Sequence, residues 1–70
     1  MAHFNPGPAY VNVSGVIQRT TKKALLLSLE ADAREVWIPR SVCMMGHRDY
    51  EGGDFVNLDV AEWFVEKEKI

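Results

Sequence analysis

The chain has 70 residues, with ten acidic and eight basic side chains, a net charge of −2 with histidine neutral, and 47% hydrophobic and 26% charged residues. That length leaves room for one domain, burying roughly 60% of its unfolded surface, so the core has to be economical. The composition excludes a fully disordered chain, and the acidic balance means that attraction to nucleic acid has to come from a local basic patch.

Cys43 is the single cysteine, which excludes an internal disulfide and points to a reducing compartment. No apolar stretch approaches the ~20 residues of a membrane span, and Met1 to Tyr10 lacks the basic and apolar regions of a secretory signal. The expected location is therefore cytoplasmic. Asn12-Val13-Ser14 matches a glycosylation sequon, a pattern with meaning only in a secreted context.

Residues 1–9 contain Pro6, Gly7 and Pro8 and no apolar period, and are expected to form a flexible arm ahead of a single β-rich domain over 10–70. From Tyr10 to Gln18 the chain alternates, placing Val11, Val13 and Ile17 on one face and Asn12, Ser14 and Gln18 on the other, which predicts a strand. Gly15 on the apolar face and Val16 on the polar one predict a bend or bulge there. Arg19 to Lys23 suits a hairpin loop, and Ala24 to Leu29 a second strand with Leu25, Leu27 and Leu29 inward. A helix over Thr21 to Arg34 is the rival, since Lys, Ala, Leu and Glu favour helices, but the leucines form no i, i+3, i+4 stripe.

Glu30 to Ala33 reads as a connection and Arg34 to Ile38 as a third strand, with Val36 and Ile38 inward. Pro39 cannot donate to a ladder, so this strand is expected to end there or to lie at an edge, with Ser41 starting a turn. Val42 to Met45 offers a short further strand, and Gly46 to Asp54, with three glycines, an exposed loop. Phe55 to Leu58 is the last strand. Asp59 then stands as a helix N-cap with Glu62 three residues on, and Val60, Ala61, Phe64 and Val65 share one arc of a terminal helix with Trp63 at its margin. The fold class is thus mainly β (α+β): a small antiparallel sheet or SH3-like barrel of four or five strands with one C-terminal helix.

Catalytic chemistry has few candidates. Cys43 and His47, four residues apart, are the one thiol–imidazole pairing, but Cys43 sits among Val42, Met44 and Met45 and reads as a small buried residue. His3, Cys43 and His47 are too few for a structural zinc site. Asp49, Glu51 and Asp54 lack the ligand spacing of a calcium loop, and Gly52-Gly53 precedes a strand, not the helix of a phosphate cradle. No enzyme activity, metal or cofactor is expected. Trp37 points away from Val36 and Ile38, with Arg19, Lys22, Lys23 and Arg34 in the adjoining loops. It could stack a base, although packing under the terminal helix is the expectation favoured over stacking.

Glu35-Val36-Trp37-Ile38-Pro39-Arg40-Ser41, followed by Glu62-Trp63-Phe64 and a charged end, resembles small uncharacterised proteins of bacteriophages and other mobile elements. In these a Val-Trp-Ile-Pro-Lys-Ser strand precedes a terminal Glu-Trp helix. The resemblance covers roughly residues 13–70 and departs at Ala61, where many such proteins carry proline. It implies a context and no activity: an accessory protein that binds a host or phage protein. The expected function is accordingly a non-catalytic binding protein whose anchors are Trp37, Arg40, Arg48 and Tyr50. The alternative is a small β-barrel for single-stranded nucleic acid.

Overall fold

The computed structural model describes residues 9–70, so the arm expected over 1–9 lies, apart from Ala9, outside the described residues. Four strands, β1 (Tyr10–Thr20), β2 (Ala24–Leu29), β3 (Glu35–Pro39) and β4 (Phe55–Ala61), form one antiparallel sheet in the order β3-β2-β1-β4. A 3-10 turn (Arg40–Val42) follows β3, and a helix, α1 (Glu62–Glu68), follows β4. The small antiparallel sheet with one C-terminal helix is therefore the architecture, and the segment 24–34 that could have been helical is strand and turn.

Alternation decides the faces. Val13, Ile17, Leu25, Leu27, Leu29, Val36, Ile38, Leu58 and Val60 turn inward and are buried together with Phe64 and Val65 of α1. Gly15 also faces in, and a Cβ there would stand 2.2 Å from the Ser28 carbonyl oxygen. Glycine thus lets β1 and β2 approach closely at this point. The bulge itself lies further along than expected: Ile17 pairs with Leu27 and Arg19 with Leu26, so Gln18 is the extra residue. The Thr21 hydroxyl stabilises the turn that follows, accepting from the Ala24 amide at 2.9 Å.

Two further expectations are corrected. Val42 to Met45 is not a strand: the chain leaves β3 through the 3-10 turn and touches the free edge of β4 at one bridge, Cys43 to Val60, continued by the Met44 amide donating to the Asp59 carbonyl at 2.8 Å. Asp59 is not a helix cap. It lies within β4, paired with Asn12, and the pairing with β1 runs on to Tyr10 and Ala61. Extending the ladder satisfies backbone groups that an earlier helix start would leave open, and Ala61, without a side-chain hydrogen bond, occupies the N-cap position.

Seven residues are too few for an isolated helix, so α1 depends on its ends and on its buried face. At its C-terminus Lys69 adopts φ 55°, with Ile70 N–H on the Val65 carbonyl and Lys69 N–H on that of Glu66, a Schellman closure. Arg34, from the β2–β3 connection, adds a second cap by donating Nη2 to the Glu68 and Lys69 carbonyls at 3.1 and 2.9 Å. Phe64 is 6% exposed and Trp63 56%, the two rings meeting edge to face at 5.9 Å. Phe64→Ala is therefore expected to cost about 3–5 kcal/mol and Trp63→Ala no more than about 1 kcal/mol. Urea midpoints followed by circular dichroism check this, and a larger loss at Trp63 would mean that α1 is rotated from this placement.

Candidate functional site

The outer sheet face is polar at one end and apolar at the other. Asn12, Ser14, Asn57 and Asp59 occupy the first, where Ser14 Oγ donates to Asn57 Oδ1 and Asn12 Nδ2 to Asp59 Oδ1. At the second, Trp37 of β3 stands opposite Leu26 of β2, and Val16 of β1 opposite Phe55 of β4. Leu26 and Val16 are diagonal neighbours, because Leu26 is paired with Arg19 and Ser28 with Val16. Side chains so related lie within roughly 8 Å of one another. The result is a diagonal apolar stripe across all four strands, with Trp37 47% and Phe55 53% exposed and Leu26 and Val16 half-buried. Arg19 flanks it on one side and Glu35, paired with Ser28, on the other. The bulge at Gln18 is what sets Arg19 beside Leu26: without the extra residue, Gln18 would occupy that place.

The four sequence-predicted anchors do not come together on this face. Trp37 belongs to the stripe, exposed and not packed under α1 as expected. Arg40 is half-buried and holds main-chain carbonyls: Nε donates to Thr21 at 3.0 Å, and Nη1 to Gly46 at 2.9 Å and Arg48 at 2.7 Å. Tyr50, half-buried against the core, donates its hydroxyl to the Met45 carbonyl at 3.2 Å. Arg48 is exposed, its Nη1 lying 3.7 Å from Met45 Sδ. Of the loop cations, Arg34 is committed to the end of α1. Sequence reasoning missed Phe55 and Leu26 as members of the face. Their signal was the period-2 alternation, which turns both away from the buried Leu25, Leu27 and Leu58.

A second feature is a cleft of about 360 Å³ between the 3-10 turn and the following loop, lined by Arg40, Ser41, Cys43, Met45, Gly46, His47 and Arg48. Gly46 is buried in its wall, where a Cβ would stand 2.0 Å from the Arg40 carbonyl oxygen. Cys43 is buried there and donates its thiol to the Pro39 carbonyl at 3.6 Å. Burial pushes the thiol pKa from 9.0 up to about 11, against the opposing pull of the Arg40 guanidinium. It is thus a neutral thiol and a poor nucleophile. Among the described residues no three His, Cys, Asp or Glu side chains are grouped so as to hold a metal ion, and no helix is long and apolar enough to cross a membrane. No protein-family model, curated protein or solved structure matches the chain.

The raised thiol pKa has a stability consequence with a definite sign. Below pH 9.0 both folded and unfolded thiols are protonated and the contribution is complete. As the pH rises from 9.0 to about 11, the unfolded thiol ionises first and stability is lost, by about 2 kcal/mol. Cys43→Ala, a core truncation costing about 1 kcal/mol at pH 8, is expected to abolish this component. The wild-type advantage in unfolding free energy should therefore vanish at about pH 9.7 and reverse by about pH 10.5, and a difference independent of pH would contradict the burial of the thiol.

Proposed function

We propose that this protein is a non-catalytic binding module that docks another protein on the apolar stripe of its outer sheet face. The observation carrying this reading is the contiguity of Trp37, Leu26, Val16 and Phe55 on a surface that no other element among the described residues covers. Scattered exposed apolar residues are ordinary, but a connected group with two large aromatic rings has the composition of an interface centre. Arg19 and Glu35 flank the stripe with opposite charges, which suits a protein surface of mixed charge better than a polyanion. The resemblance of 35–41 and 62–64 to phage and mobile-element proteins supports a role as an accessory protein in such an element, with a host or phage protein as the partner.

Single-stranded nucleic acid is the second reading, and the same two rings favour it: aromatic side chains on a sheet can stack bases, and Arg19 could meet a phosphate. Glu35 on the stripe's flank and the net charge of −2 weigh against it.

Affinity capture from bacterial lysate with and without nuclease treatment, comparing wild type with Trp37→Ala and Phe55→Ala, tests the proposal. Both variants are expected to keep wild-type urea midpoints to within about 0.5 kcal/mol, as surface changes do, and to lose a captured protein with a weakening of at least about 2 kcal/mol, the loss of an interface anchor. A partner that survives both substitutions would refute the docking face. Binding abolished by nuclease, together with salt-dependent binding of a labelled oligonucleotide, would replace it with the nucleic-acid reading.

A further inference from the structure

The cleft beside the 3-10 turn stands apart from the apolar face, and its chemistry is different. In a chain with more acidic than basic residues, its lining contains two arginines, His47 and the Ser41 hydroxyl, and no carboxylate. Asp49, which follows Arg48 directly, and Glu51 and Asp54 further along the loop are all absent from the lining. The thiol in the wall is held neutral by burial, so it adds no negative charge.

Arg40 is the centre of the arrangement. Three main-chain carbonyls fix its guanidinium, and among the described residues it bonds to no carboxylate, so a half-buried positive charge is positioned without being neutralised. Nη2 carries no hydrogen bond among the described residues. Being half-buried, the guanidinium stays open to a ligand in the cleft and meets it with no carboxylate partner among the described residues. Arg48 and His47 also line the cleft, both exposed, and the hairpin tip whose Thr21 carbonyl Arg40 holds also carries the exposed Lys22 and Lys23. One fixed guanidinium with Nη2 uncommitted, next to a second arginine, a hydroxyl and an imidazole, offers donors suited to a tetrahedral oxyanion, which accepts from several directions at once.

We infer that this cleft is a binding site for a phosphate group, with Arg40 as its preorganised donor, Arg48 as the arm that closes on the ligand, and Ser41 and His47 as further donors. The site is independent of the docking face, and small ligands test it with no protein partner present.

The test follows backbone amide shifts of residues 40–48 by NMR during titration at constant ionic strength with inorganic phosphate, O-phosphoserine and adenosine monophosphate, with glutarate as a carboxylate control. Saturable shifts centred on Gly46 to Arg48 are expected with phosphate, and the tighter of the two esters identifies whether a phosphorylated side chain or a nucleotide is the better source. Arg48→Gln, at an exposed position whose side chain hydrogen-bonds only Met45 Sδ among the described residues, should remain folded and raise the dissociation constant about tenfold. Lys67→Gln removes one positive charge from α1 and should leave the constant unchanged. Shifts that do not saturate, glutarate binding as tightly as phosphate, or equal effects of the Arg48 and Lys67 variants would each overturn the assignment.

Discussion

Pro39 lies at one edge of the sheet and Cys43 touches the other, so the three residues Arg40–Val42 connect edges that a flat four-stranded sheet would hold three strand spacings apart, roughly 14 Å. The sheet has to curl for the connection to reach, and Arg40 is the residue that holds it there. Its one guanidinium ties the β1–β2 hairpin tip, at Thr21, to the loop beyond the 3-10 turn, at Gly46 and Arg48. Gly46 fits because the Arg40 carbonyl leaves no space for a Cβ. Curling encloses the inward leucines and valines on a short chain, and it leaves one open end, which α1 covers with Phe64 and Val65.

The same curvature separates two kinds of aromatic residue. Phe64 is inside, while Trp37 and Phe55 ride the convex side, where no element among the described residues covers them. Their exposure follows from strand parity alone. In β3 and β4 the alternate positions Val36, Ile38, Leu58 and Val60 supply the core, and the aromatic residues occupy the remaining phase. The fold does not use these rings for its own packing, so their removal bears on binding before it bears on stability.

Parity was also the legible part of the fold. The faces of β1, β2 and β3, the edge position implied by Pro39 and the burial of Phe64 all follow from period-2 or period-3.6 spacing. The features that were not legible depend on residues far apart in the chain. Asp59 and Glu62 have the spacing of a capping box, yet the ladder from Asn12 to Tyr10 carries β4 through Ala61 and displaces the helix start. The bulge sits at Gln18 because the loop beyond it docks there, Gly53 donating to the Ile17 carbonyl and Ile17 to that of Asp54. In the sequence Arg34 reads as a loop cation and Arg40 as an interface anchor. Their acceptors are main-chain carbonyls, which leave no residue-type signal, 34 and 35 positions away for Arg34 and up to 19 for Arg40.

The exposure of both tryptophans also determines what light can report about this molecule. Trp37 and Trp63 each keep about half their surface in water and half against protein. Unfolding strips the covered half of both rings and moves the emission to longer wavelength, whereas a surface closing over Trp37 would dehydrate its ring and move the emission to shorter wavelength. Intrinsic fluorescence therefore reports loss of the fold and covering of the outer face by shifts of opposite sign.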